Sequence, residues 1–195
     1  MPERELPKMD ERIRGFQGYG LIQLIHGTGK GKTTAALGQA VRCAGAGKRV
    51  FIVYFDKGGE THYNERHVLD TIPNIAYVAT GRDRIDPVTN KFDFSINEVD
   101  KSEAQRGIVE AGKALRGGEY DLVILDEINS TVDLGMVGES EIIEIIEQKL
   151  PTVEVILTGR NPPQSFVDIA HLVTEMKLER HYFYSGVAAR VGLDY

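Results

Sequence analysis

Short apolar runs alternate along this chain with longer stretches whose apolar residues return at helical spacing. The runs fall at 21–25, 49–55, 75–79, 122–125, 153–157 and 171–176, and each predicts a strand. The run at 49–55, RVFIVYF, is the near-continuous β-branched and aromatic type found in parallel strands buried on both faces. Between the runs, Ala36, Leu37, Ala40, Val41 and Ala44 predict a helix over 33–46, closed by Gly45 and Gly47. Ala104, Ile108, Ala111 and Leu115 predict a long helix over 98–116, closed by Gly117 and Gly118. Ile142, Ile143, Ile146 and Leu150 predict another over 139–150, and Pro151 follows it. Shorter helices are expected over 62–70 and after Pro162 and Pro163. The alternation predicts an α/β fold, a mostly parallel sheet of about six strands with helices on both faces.

Residues 1–20 are polar, carry Pro2 and Pro7, and end in glycines. They read as an arm ahead of one α/β domain spanning 21–195. The arm is either a frayed terminus or a short helix around 9–13 folded over something, and composition alone does not choose. The segment 80–95, rich in Asp, Arg, Asn and Gly, is too long for an ordinary connector. The tail from 179 is aromatic and glycine-bearing and resists assignment.

Ligands of such sheets bind beyond the carboxyl ends of the strands. Four marked stretches fall there: the loop after the first strand, Asp56 to Gly59, Asp126 with Glu127, and Gly159 with Arg160. The first loop is glycine-rich: Gly27, Thr28, Gly29, Lys30, Gly31, Lys32, Thr33 and Thr34. Strand, glycine loop, Lys-Thr and helix form an anion nest, in which glycines let backbone N–H groups converge. The Lys supplies charge to phosphates and a Thr hydroxyl can ligate Mg²⁺. The usual spacing, G-x-x-x-x-G-K-[ST], calls for glycine where this chain has His26, so the loop is a modified one. The plainer reading is a turn that binds nothing, and the flanking strand and helix weigh against it. Asp126 and Glu127 follow four apolar residues. Beside a phosphate loop such carboxylates hold Mg²⁺, although an acidic pair also starts helices. Arg160 can clamp a phosphate or form a surface ion pair. Arg42 can reach a nucleotide or lie solvated. Phe92 and Phe94 alternate on a polar segment, as a satellite cluster or as a lid on a large apolar ligand.

Composition narrows the classes. The chain has 195 residues, 42% hydrophobic and 27% charged, an ordinary globular balance that needs no disulfide or metal staple. The net charge of −6, without a long basic run, argues against non-specific nucleic-acid binding. Cys43 is the only cysteine and falls within a helix, so a buried apolar role is expected and an intrachain disulfide is excluded. The five histidines show no paired ligand spacing, which argues against zinc. No apolar run is long enough to span a bilayer, and the first residues have no signal-peptide core. A cytoplasmic protein that does not engage membranes is the expectation.

Several stretches together resemble the P-loop ATP:corrinoid adenosyltransferases, also called cob(I)alamin or cob(I)yrinic acid a,c-diamide adenosyltransferases. They are GTGKGKTTAALG (27–38), the helix with Arg42, VYFDKG (53–58), the Glu65-Arg66 pair, VILDEI (123–128), ILTGR (156–160) and GVAARVGLDY (186–195). The modified glycine loop is itself typical of that family. The resemblance implies a P-loop NTPase fold of the RecA-like type. It also implies a reaction in which cobalt(I) of a reduced corrinoid attacks C5′ of ATP and triphosphate leaves. It gives Lys32, Arg160 and Glu127 catalytic roles, residues 27–34 and Arg42 a nucleotide-binding role, and Thr33 and Glu127, supported by Asp126, an Mg²⁺ (or Mn²⁺) site. Phe92 and Phe94 match an aromatic pair near the corrinoid that favours cobalt without its lower ligand, although the family's second aromatic is commonly Trp. It further implies a homodimer, a reducing flavoprotein as electron donor, and an arm that can close over the site. The runner-up is an ordinary P-loop ATPase or nucleotide kinase releasing ADP. A third reading is a carrier that delivers its ligand to another enzyme.

Overall fold

The structure is a computed structural model that describes residues 9–59, 62–84 and 93–194. Six strands form one sheet: β1 Ile22–His26, β2 Val50–Tyr54, β3 Ile75–Ala79, β4 Leu122–Asp126, β5 Glu154–Thr158 and β6 Leu172–Glu175. Their order is β3-β2-β4-β5-β1-β6 and every pairing is parallel. The helices are α1 Lys32–Gly45, α2 Glu65–Leu69, α3 Glu98–Arg116, α4 Ile128–Asp133, α5 Glu139–Glu147 and α6 Gln164–Ile169. The expected α/β architecture is present.

The period-two alternation of the strands divides the core into two layers. Ile25, Val50, Ile52, Tyr54, Ile124 and Ile156 face α1, meeting Ala36, Ala40 and Cys43. Leu24, Val53, Val123, Leu125, Val155 and Leu157 face the other way, toward Ala104, Ala111 and Leu115 of α3 and Ile142 and Ile146 of α5. Strands with helices on both sides must be apolar at nearly every position, which is why these runs read as unbroken. The small residues of α1 let it lie close to the sheet, and Cys43 is one of them, 6% exposed. The edge strand β6 is the exception, with all four residues exposed.

Local chemistry explains most helix boundaries. Asn97 caps α3 by accepting from the Val99 and Asp100 N–H groups, while Asp100 accepts from the Asn97 N–H. The helix expected over 139–150 stops at Glu147; the Lys149 N–H still donates to the Ile146 carbonyl at 3.1 Å, while its side-chain ammonium donates to the Gly20 carbonyl at 2.7 Å. Helix α4 has no apolar periodicity of its own and was not expected. It is one short turn and a half, started by Glu127 in a left-handed conformation.

The described part of the arm, residues 9–20, lies at the start of the strands. Arg12 donates to the Asp168 and Ala170 carbonyls at the end of α6, and the Gly20 and Leu21 N–H groups donate to Glu154. The first eight residues lie outside the described residues.

Gly107 of α3 faces the ring of Phe55, just beyond β2. A Cβ there would stand 2.6 Å from Phe55 Cε1, and Phe55 is fully buried. Alanine ordinarily stabilises a helix by about 1 kcal/mol over glycine. Overpacking a fixed ring outweighs that gain, and Gly107→Ala is expected to destabilise the fold by about 1–2 kcal/mol net. A lowered urea midpoint with an unchanged m value is the expected result, and a raised midpoint would show that the ring gives way.

Candidate functional site

The loop between β1 and α1 takes its shape from a close neighbour. Gly27 has φ 105° and Gly31, capping α1, has φ 110°. A Cβ on either Gly27 or Gly29 would stand 2.6 Å from the Met176 carbonyl oxygen. Met176 donates its N–H to the His26 carbonyl at 2.7 Å, and Gly29 donates back to the Met176 carbonyl at 2.6 Å. So β6 pairs with β1 right through His26, where a strand residue with a side chain fits. The first strand-breaking glycine then falls one position later. This is the physical reason for the modified spacing.

Lys32 is 8% exposed and donates to the Gly29 carbonyl at 2.9 Å. Burial pulls its ammonium below its ordinary pKa, while Glu127 and Asp126 oppose that and Arg160 and Lys57 add to it. Those four groups are therefore its electrostatic neighbours. Thr28, Lys30 and Thr34 are exposed on the loop and first helical turn.

Asp126 ends β4 and is 1% exposed. It is held from three sides. Thr158, at the end of β5, donates to Oδ1 at 2.6 Å; Thr33 donates to Oδ2 at 3.3 Å; and Lys57 donates to Oδ2 at 2.5 Å. Because β5 lies between β4 and β1, Thr158 bridges the carboxylate strand and the loop strand. Its hydroxyl also accepts from the Glu127 N–H at 3.0 Å. Glu127 has φ 62°, Asp56 φ 52° and Asn161 φ 47°, so left-handed residues close β2, β4 and the β5 turn at one edge. Such conformations cost energy in non-glycine residues and concentrate at functional sites. Glu127 is half-buried, accepts from Ser130 Oγ at 2.8 Å, and lies 3.6 Å from Lys57 Nζ. Ser130 in turn accepts from the Arg160 N–H at 3.0 Å, which leaves the exposed Arg160 side chain beside the loop.

Lys57 was not singled out as a site residue in the sequence. Its signal was a lysine after a buried strand in the VYFDKG stretch. Burial pulls its ammonium down, yet Asp126 and Glu127 outweigh burial and hold its pKa above the ordinary value.

The structure brings Lys32, Thr33, Asp126, Glu127 and Arg160 together at the carboxyl edge of the sheet. It does not bring Arg42, which sits in the last turn of α1 beside a 310 Å³ cavity lined by Tyr19, Gln23, Gln39, Leu122 and Glu154 at the opposite edge. Phe92 lies outside the described residues. Phe94 is 83% exposed, so it is not part of the core.

The tail returns to the loop. Lys30 donates to the Leu193 carbonyl, to the Asp194 carboxylate and, at 3.1 Å, to the Tyr182 hydroxyl. Arg190 pairs with Asp194 at 3.1 Å and lies 4.5 Å over the Tyr182 ring. This latch is what the unassigned tail forms.

The hydroxyl of Thr33 and the carboxylates of Asp126 and Glu127 are hard oxygen donors, the kind that suit Mg²⁺ bound with a phosphate chain. A cation already satisfies them here, the Lys57 ammonium. Among the described residues no cluster of three or more His, Cys, Asp or Glu could hold a metal alone.

Residues 18–195 match the family model of the ATP:corrinoid adenosyltransferase BtuR/CobO/CobP. A corrinoid adenosyltransferase of Escherichia coli is 31% identical over 198 residues, covering 99% of this chain and 95% of that protein. One of Salmonella typhimurium is 32% identical over 193 residues, covering 96% and 92%. An uncharacterized protein of Nostoc sp. is 36% identical over 185 residues, and the match spans only 47% of its length. The chain belongs to the ATP:corrinoid adenosyltransferase family.

Lys30 and Tyr182 hold the Asp194 carboxyl well below the usual carboxylate range. A depressed folded pKa means that the latch is at full strength above the unfolded value of about 4 and is lost as pH falls through the folded value. Asp194→Asn is expected to release the tail at neutral pH, seen as severalfold faster trypsin cleavage after Arg190. Hydrogen exchange of residues 180–194 in the unaltered protein should lose protection only below about pH 4. Protection already lost near pH 6 would count against the carboxylate as the anchor.

Proposed function

We propose that this protein transfers the 5′-deoxyadenosyl group of ATP to the cobalt(I) of a reduced corrinoid and releases triphosphate, in adenosylcobalamin biosynthesis or salvage. The observation that carries the reading is the convergence of Lys32, Thr33, Asp126, Glu127 and Arg160 at one sheet edge, in a chain that matches the family model from residue 18 to its end.

In this reaction the cobalt(I) substrate gives an electron pair to C5′, the C5′–O bond breaks, and the electron pair leaves with the triphosphate. The nucleophile needs no base, so the protein's work is alignment and stabilisation of the leaving group's charge. Residues 27–34 cradle the phosphate chain with backbone N–H groups at the start of α1. Lys32, buried against the loop, meets the phosphates with little water to screen its charge. Arg160 adds a planar pair of donors from the neighbouring strand end. Thr33 and Glu127, with Asp126 behind them, would hold Mg²⁺ or Mn²⁺, which supplies positive charge to the phosphate oxygens when bound. Thr158 fixes Asp126 and Ser130 fixes Glu127, so neither carboxylate has to reorganise.

Three remaining features rest on the family resemblance: a homodimer, a reducing flavoprotein as electron donor, and corrinoid contact by Phe92 and Phe94. A cytoplasmic setting rests on the lone cysteine, which fits a reducing compartment. The absence of nucleic-acid and membrane partners rests on the acidic charge. It also draws on the lack, among the described residues, of any helix long and apolar enough to cross a membrane.

Incubation with ATP, Mg²⁺ and chemically reduced cobalamin is expected to give triphosphate and a light-sensitive alkyl-cobalt product. ADP and orthophosphate with unchanged corrinoid would overturn the reading in favour of a phosphohydrolase or kinase. Lys32→Ala is expected to lower kcat/KM by about a hundredfold or more with the circular dichroism spectrum retained. A lost helical signal would assign Lys32 a structural role instead.

A further inference from the structure

One ammonium meets every oxygen assigned above to the divalent cation. Lys57 Nζ stands 3.0 Å from Thr33 Oγ1, 2.5 Å from Asp126 Oδ2 and 3.6 Å from Glu127 Oε1. The Lys57 side chain is 16% exposed and that of Asp126 1%, so this is not a solvated surface pair of negligible weight. A divalent ion on the same three oxygens and an ammonium among them would repel strongly across a few ångströms of poorly solvated protein. One of them has to leave.

The surroundings decide how. The Lys57 backbone is clamped on both sides. Its N–H donates to the Thr80 carbonyl at 2.8 Å, and its carbonyl accepts from Arg66 Nη2 at 2.6 Å. Arg66 also donates to the Gly59 carbonyl at 2.7 Å and is itself pinned over the rings of Tyr63, at 4.0 Å, and Tyr54, at 4.9 Å. Gly58 has no room for a Cβ against the Gly81 carbonyl. The backbone therefore stays, and any relocation falls on the four-carbon side chain. Lys57 is also one of the charges felt by Lys32, the phosphate lysine.

We infer that Lys57 is an exchangeable counter-ion: it neutralises Asp126 and Glu127, yields their oxygens to the divalent cation that arrives with ATP, and carries its ammonium to the triphosphate. Asp126 and Glu127 thus keep a cation beside them through binding, and a second lysine joins Lys32 where negative charge gathers as the C5′–O bond breaks. The inference rests on the metal-site reading under the proposed function, and the test separates the two.

Mn²⁺ binding to nucleotide-free protein is followed by loss of the free-ion paramagnetic resonance signal. Lys57→Met keeps the side chain's bulk and removes its charge, and it is expected to bind Mn²⁺ at least about tenfold more tightly than the unaltered protein, because like charges no longer meet. Lys57→Arg keeps the charge and should keep the weak affinity. Equal or weaker binding by Lys57→Met would overturn the counter-ion role. In the double variant Lys57→Met with Glu127→Gln, the gained affinity should disappear. If it persists, the ion binds elsewhere and the metal-site reading fails. A measurement on the unaltered chain covers the case in which the methionine variant does not fold. The Lys57 ammonium resonance, slowed in exchange by its three oxygen partners, should shift on addition of Mg²⁺ with a non-reacting ATP analogue, and an unmoved resonance sinks the exchange.

Discussion

A single buried carboxylate, Asp126, ties the working edge of this protein together. Three elements from distant parts of the chain reach it: Thr33 at the start of α1, Lys57 after β2, and Thr158 at the end of β5. A carboxylate excluded from water is costly unless its lone pairs are filled, so the three partners and the carboxylate fix one another. Strand register sets the arrangement. Tyr54 pairs with Asp126 and Leu125 with Leu157, which puts the ends of β2, β4 and β5 level. The left-handed residues Asp56, Glu127 and Asn161 then turn the chain away at that edge.

The division of labour between the two faces of the sheet follows from the same register. Each strand supplies alternate residues to α1 on one side and to α3 and α5 on the other, and the apolar layers hold the edge rigid. The polar edge is built where the apolar runs stop. Charge is placed there in near balance: Lys32, Lys57 and Arg160 stand against Asp126 and Glu127.

Strands and long helices were legible because burial on both faces leaves an unbroken apolar run and burial on one leaves a helical repeat. The loop, Asp126, Glu127 and Arg160 were legible because each follows such a run. Other features are written in contacts between distant segments, which local pattern does not carry. Helix α4 is too short for a repeat and depends on the conformation of Glu127. The ties of Thr158, Ser130 and Lys57 to the acidic pair exist only once β2, β4 and β5 lie side by side. Arg42 was placed near the nucleotide, yet α1 rises about 1.5 Å per residue and carries it some ten residues away from Lys32, to the far edge. Phe94 kept its polar surroundings and its exposure, and Phe92 lies outside the described residues.

The contact between Met176 and the loop has a temporal side. Gly27 and Gly29 lie among the first residues of the domain, but the backbone that shapes them belongs to the end of β6, the last strand to be made. Pairing between ends so far apart in the chain forms late, since loop closure must precede any gain from contact. During synthesis the first five strands can assemble while the glycine loop still lacks the wall against which it folds. The shape of the glycine loop is in this way coupled to completion of the sheet.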